Sequence, residues 1–216
     1  MKNTIYILLV GMVVTSASAA PITLANTDFT NDANGANPAN WTTEENIAGA
    51  IGVQTSTIGS DKVLTFQARL TGNYIQQSFL TSEATAENFG EYTVEFESGW
   101  RNNTIGDKDL NLRVSIWNVT DGVELGFASY TFPPNDPSNL QDNYRKIGDQ
   151  SLTVTYDNTA VGLVDDTIAL RIASNSTQNW WDPTGWIDDI AVTSVPEPAT
   201  MSLLALGGIA MLRRRK

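Results

Sequence analysis

An all-β sandwich of two stacked sheets, in jelly-roll form, is the fold this sequence predicts. Three observations predict it. From residue 22 to 192 apolar and polar residues alternate with a period of two, the mark of half-buried strands. Turn residues punctuate the alternating runs at short intervals, as at Gly59-Ser60-Asp61, Thr71-Gly72-Asn73, Gly106-Asp107, Asp121-Gly122 and Asp157-Asn158. No stretch carries a convincing apolar stripe at helical spacing; residues 82–88 offer one helical turn or two. Eight to ten such strands close best as two packed sheets, which limits exposed edges.

In chain order, residues 1–19 read as a secretory leader. Lys2 is the positive end, residues 5–14 the apolar run, and Ala17-Ser18-Ala19 an A-x-A cleavage site, so export by the Sec translocon is expected. The run is too short, and its flanks are wrong, for a retained transmembrane helix. The body, residues 20–194, has strand candidates at 64–70, 74–80, 91–100, 110–119, 124–132, 152–156, 168–172 and 186–193. The cleanest is 91–100: Tyr92, Val94, Phe96 and Trp100 share one face, with Glu91, Thr93, Glu95 and Glu97 on the other. Residues 26–46, 133–149 and 174–185 read as long irregular segments, the second because Pro133-Pro134-Asn135-Asp136-Pro137 cannot continue a ladder.

Composition excludes whole classes of chemistry. The chain has no His and no Cys. Nucleophilic systems built on imidazole or thiol, imidazole-ligated zinc and structural disulfides are therefore out of reach. Net charge is −11 over 216 residues, but five of the thirteen cations lie at the two ends. Between Pro21 and Val195 eight cations face twenty-three carboxylates, about −15. Such a surface repels phosphate backbones, so no nucleic-acid partner is expected.

Residues 195–216 have three parts. Val195-Pro196-Glu197-Pro198-Ala199 forms a rigid, acidic, Pro-flanked turn, 201–212 is mostly apolar, and Arg213-Arg214-Arg215-Lys216 ends the chain. A span needs about 20 apolar residues, so 199–212 makes only a thin or transient membrane contact, with the cations held on the cytoplasmic side. This order of parts resembles the PEP-CTERM sorting signal of Gram-negative bacteria. The resemblance implies a C-terminal hydrophobic sorting helix, recognition by a membrane-embedded exosortase and cleavage near Pro196, Glu197 and Pro198. It also implies transient residence in the inner membrane, then delivery to the cell surface or the extracellular polysaccharide matrix.

A second resemblance lies in the body. Leu24-Ala25-Asn26-Thr27-Asp28-Phe29 followed by Trp41, and Trp186-Ile187-Asp188-Asp189-Ile190-Ala191-Val192, are similar to the opening and closing segments of jelly-roll carbohydrate-binding modules. The resemblance implies that the first and last strands pair and that a structural calcium sits beside them. Thr30 stands where those modules carry Glu, which removes one expected ligand.

Periodicity adds its own expectation here. If Ile190 and Val192 face the core, Asp188 and Trp186 share that face, and an interior carboxylate needs a partner. Ca²⁺ is one candidate, with Asp28 and Asp32 as further oxygen ligands; backbone N–H groups of the 26–32 loop are the other.

Candidate ligand contacts are aromatic. Strand parity turns Trp117 outward with Arg113 and Ser115, and Trp180-Trp181 lie in a loop beside Asp182; stacking on sugars and packing beneath loops both fit them. Trp100 and Trp41 fit the core. For catalysis the one option is a carboxylate pair, best Glu95 and Glu97 on their exposed strand face. That face also reads as a solvated strand surface, and the Glu-x-Asp-x-x-Glu arrangement of jelly-roll glucanases is missing. The expectation is a non-enzymatic structural or adhesive surface protein with polysaccharide as ligand. The alternatives are a secreted glycan-degrading enzyme and a surface structural protein without a discrete ligand.

Overall fold

The computed structural model describes residues 20–46, 48–55, 61–67, 72–79, 89–101, 110–134, 144–157, 166–176 and 184–195. They form eleven strands: β1 (Ala20–Ile22), β2 (Thr42–Glu44), β3 (Ile51–Thr55), β4 (Lys62–Gln67), β5 (Tyr74–Phe79), β6 (Phe89–Arg101), β7 (Asn111–Asn118), β8 (Val123–Thr131), β9 (Tyr144–Asp157), β10 (Ile168–Ser174) and β11 (Thr184–Val195). Ala19–Val195 is one compact unit.

Two sheets result, and every pairing is antiparallel. One has the order β3-β4-β11-β6-β9, with β1 also paired to β11; the other has the order β2-β5-β10-β7-β8. From β4 on, early and late strands interleave within both sheets, β4-β11-β6-β9 over β5-β10-β7-β8. That interleaving is the jelly roll. β4 and β1 take turns along one side of β11: β4 pairs with Thr184–Ile187, and β1 with Val192, Thr193 and Ser194. The first and last strands are thus neighbours.

Period-two alternation fills the space between the sheets. Leu64 and Phe66, Tyr92, Val94, Phe96 and Trp100, Leu112, Val114 and Ile116, Val154 and Tyr156, and Ile168, Leu170 and Ile172 are all buried in one core. Their outward neighbours on β6, Glu91 and Glu95, are exposed. Aromatic rings meet across the layer: Phe79, Tyr92 and Tyr156 stack at 5.8 and 5.1 Å, and Phe96, Tyr130, Phe132 and Trp100 follow at 5.4, 4.8 and 5.0 Å. Tyr130 keeps its hydroxyl satisfied by bonding Ser98 Oγ at 2.9 Å.

The irregular segments need correction. β2 lies inside 26–46, β9 begins at Tyr144 inside 133–149, and β11 begins at Thr184 inside 174–185. β3 carries Gly52 and Gln54 in five residues and shows no alternation to read. The 82–88 turn, Ala68 and Leu70, the leader and the tail from Pro196 onward lie outside the described residues, the sorting helix with them.

The stretch from Leu24 to Trp41 closes over the core. Phe29, fully buried at φ +51°, is inserted beside Trp41, their ring centroids 6.5 Å apart. Trp41 Nε1–H donates to the Asn26 carbonyl at 3.1 Å. Gln77, on the inward side of β5, accepts from Ala25 N–H at 2.6 Å and donates to the carbonyls of Ala25 and Asn40. A buried amide therefore fastens both ends of the loop to the sheet, which satisfies groups that would otherwise be stranded.

Candidate functional site

Two outer faces carry the candidate residues, one per sheet. On the five-stranded sheet the middle strand is β10, and Arg171 is its middle residue. Register aligns Arg171 with Gln76 of β5 on one side and Ser115 of β7 on the other, and Ser115 with Phe127 of β8. Because directly opposed residues share a face, the outward set runs Tyr74 and Gln76, Arg171, Arg113, Ser115 and Trp117, then Phe127.

The guanidinium of Arg171 lies between two rings, 4.0 Å from the Tyr74 centroid and 3.5 Å from that of Trp117. Its Nε and Nη2 both donate to Gln76 Oε1, at 2.9 and 2.7 Å. Trp117 Nε1–H donates to Ser115 Oγ at 2.9 Å, fixing the indole against the sheet. Arg113 covers the Phe127 ring at 3.2 Å and grips Glu124 with Nε, at 2.9 Å, and Nη2. Phe127 remains 49% exposed, large for an aromatic ring.

The two arginines differ electrostatically. The hydrogen bonds that Arg113 donates to Glu124 raise it above the ordinary guanidinium value, the usual effect of a paired carboxylate. Arg171 is lowered instead, because burial outweighs the opposing charge interactions with Tyr74, Glu124 and Glu44.

Parity thus places Trp117 with Arg113 and Ser115 on the outward side, where each ring has a cation above it. Tyr74, Gln76 and Arg171 were missed because they come from strands distant in sequence, and Phe127 because its place beside Ser115 depends on the register of the β7–β8 hairpin. One signal was available: Arg171 is the single charge in the otherwise apolar run Ile168-Ala169-Leu170-Arg171-Ile172-Ala173. Trp180 and Trp181 lie outside the described residues, as do Pro196, Glu197 and Pro198.

The other face belongs to the six-stranded sheet, and here the parity expected for Asp188 is corrected. A β-bulge separates Asp188, opposite Glu97, from Ala191, opposite Glu95. Asp189 adopts a left-handed φ of +50° within it. The extra residue reverses the alternation. Ile187, Ile190 and Val192 all reach the core, whereas Trp186 falls outside that cluster and packs on Val63. Asp188 therefore shares the side of Glu97 rather than facing the interior between the sheets.

Asp188 is still buried, and its Oδ1 has no hydrogen-bond partner. Burial pushes its carboxyl up to about 8; a backbone N–H from Asp189 opposes this, and the charges of Asp189, Glu97 and Asp28 add to it. Burial likewise raises Asp189, with Glu97 and Asp28 contributing.

Of the expected calcium ligands, Asp28 is near enough for its charge to act on Asp188, but Asp32 is committed elsewhere. Its Oδ2 accepts from Asn26 Nδ2 at 2.7 Å and its Oδ1 from Ala39 N–H at 3.1 Å. Among the described residues no three acidic side chains converge as a metal cluster. The orphaned Asp188 oxygen in an anionic setting fits one ligand of a hard cation; Asp32 does not.

Glu95 and Glu97 line a shallow cavity of about 360 Å³ on this face, with Asp149 and Asp189. Glu97 is tied to Lys146, which also reaches Asp149 at 3.3 Å.

Comparison with known proteins bears on both the tail and the fold. Residues 194–216 match the family model of the PEP-CTERM protein-sorting motif. The signal implies export, membrane-associated sorting and processing by an exosortase. No curated protein matches the chain in sequence.

Several solved structures share the architecture. A cyclase from Fischerella sp. TAU is 16% identical, with 83% of this chain and 98% of that chain covered and a TM-score of 0.55. An arabinose-bound MgGH51 α-L-arabinofuranosidase is 12% identical, with 81% and 26% covered and a TM-score of 0.52. The mannan-recognising carbohydrate-binding module TmCBM27 is 10% identical, with 83% and 100% covered and a TM-score of 0.46. At these identities the first two likenesses are ones of fold alone.

Proposed function

We propose that this chain, an exported protein bearing a PEP-CTERM sorting signal, binds extracellular polysaccharide through the outer face of its five-stranded sheet. It acts as an adhesive or structural component of the cell surface or matrix of a Gram-negative bacterium, reached by the Sec translocon. One observation carries the reading. Tyr74, Trp117 and Phe127 all stand on that face, partly exposed and braced by guanidinium groups. A sheet face meant only for water would be polar; one carrying rings on a rigid strand lattice offers apolar planes for the C–H faces of sugars and donors for their hydroxyls.

Binding is favoured over catalysis for a geometric reason. Glycoside hydrolysis needs two carboxyl groups flanking the scissile bond. Glu95 and Glu97 stand two residues apart on one strand face, hence on the same side of any sugar above them, and Glu97 is bonded to Lys146. A structural Ca²⁺ is part of the proposal, held by Asp188 with help from Asp28 and without Asp32.

The test is a glycan array probed with the exported protein, with and without Ca²⁺, beside its Trp117→Ala variant. Binding to a polysaccharide weakened about tenfold or more in the variant, roughly 1.4 kcal/mol, with an unchanged melting temperature, is expected. Silence across the array would leave a surface structural protein without a discrete ligand. Release of reducing sugar would make it an enzyme.

A further inference from the structure

We infer that the polysaccharide this face takes is an acidic one, whose sugar carboxylates dock on Arg171; the inference rests on the sugar-binding reading above and names its ligand class. The position of Arg171 comes first. It is the middle residue of the middle strand, so a chain crossing the centre of the face passes over it.

Its bonding comes second. Arg113 is neutralised by Glu124 and Lys146 by Glu97 and Asp149. Arg171 makes no ion pair among the described residues; its bonds go to one neutral amide oxygen, and its Nη1 group has no partner among them. A half-buried guanidinium left without a carboxylate is an incomplete arrangement, since burial of a charge is costly until it is paired. The flanking rings of Tyr74 and Trp117 offset that cost only in part and hold the guanidinium plane fixed. A planar fork with free donors is matched by a carboxylate, which accepts two parallel N–H bonds.

Its setting comes third. The domain carries about −15, so a half-buried cation that bonds no carboxylate among the described residues, at the centre of the face, runs against the composition of the surface. A neutral sugar requires no such charge. Glu44, opposite Tyr74 on the outermost strand of this sheet, and Glu124, bonded to Arg113, bracket the cation. They leave one anionic seat at Arg171.

The experiment compares binding of the exported protein to polygalacturonate, alginate and glucuronan, to the same polymers after chemical reduction of their carboxyl groups, and to poly-glutamate. At least one polyuronate is expected to bind about tenfold or more tightly than its reduced form, and Arg171→Lys to remove that preference while the melting temperature holds. Equal affinity for native and reduced polymers would overturn the inference and leave the sugar-binding face standing. Poly-glutamate binding as tightly as the polyuronates would overturn it in favour of an acidic peptide. Binding to none of them would overturn the inference, while the glycan array decides whether the sugar-binding face stands. The polymer comparison needs no variant, so a poorly folding Arg171→Lys does not blunt it.

Discussion

Asp188, buried with one carboxyl oxygen unpartnered, works against stability, and its cost depends on pH. Free in an unfolded chain it titrates near 3.8; in the sandwich burial moves it up to about 8. Between those values the folded state holds a proton that the unfolded state has released. Stability therefore falls as pH rises across that window, by at most about 1.4 kcal/mol per pH unit. It is fully present below the unfolded value and lost through the folded one. Asp188→Asn copies the protonated shape without titrating. In chelator, the melting temperature of the variant minus that of the parent should grow steadily from pH 4.5 to pH 8. A difference independent of pH would mean that Asp188 ionises at its ordinary value. Adding Ca²⁺ at pH 8 should raise the parent and not the variant, because a divalent cation replaces the proton as the partner of Oδ1.

Elements show where strand pairing is tightest. β8 and β9 belong to different sheets, yet Gly126 of β8 lies so close to β9 that a Cβ there would stand 2.0 Å from the Thr155 carbonyl oxygen. Backbone cannot yield as a side-chain tip can. Gly126→Ala is expected to cost about 1–3 kcal/mol, read as a lower midpoint in a urea melt. Gly52→Ala in β3, where the nearest atom is 3.8 Å away, should leave the midpoint nearly unchanged. Equal effects would mean that this corner of the sandwich is open.

The same elements show what a sequence can and cannot display. Runs such as 91–100 and 110–119 alternate strictly because one face meets the core and the other meets water, so burial is written into every second residue. β2 has three residues, too few for a period, and β9 opens with Arg145, Lys146, Gly148 and Asp149 around a register shift. The Asp188 parity failed for a related reason. A bulge is one inserted residue, and nothing in Asp188-Asp189 marks which of the two is extra. Trp117 was legible as outward from its own strand, but its partners Arg171 and Tyr74 depend on register between β5, β7 and β10, set by contacts far apart in sequence.

At the scale of the whole molecule, the pairing of β1 with β11 brings the two chain ends of the sandwich together. Ala20 lies opposite Ser194 and Ile22 opposite Val192, so Ala20 and the start of the sorting motif are cross-strand neighbours. The motif, residues 194–216, overlaps the last two residues of β11. Those residues are held: Ala191–Val195 pair with Glu95–Glu91 of β6, and Val192–Ser194 pair with β1 on the other side. A protease acting near Pro196–Pro198 binds its substrate as extended, unpaired chain, yet the residues just upstream are locked into a central strand. If the tail is cut there, its removal waits for the end of β11 to fray or proceeds with few upstream contacts. Local opening of paired strand ends carries a free-energy cost that slows the step in proportion. Inserting a flexible Gly-Ser linker between Val195 and Pro196 should remove that cost. In a pulse-chase, the linker form should lose its tail several-fold faster than the parent, and Ile22→Ala, which loosens β1 on β11, should fall between them. Identical rates for all three would show that the enzyme reads the motif without disturbing the strand.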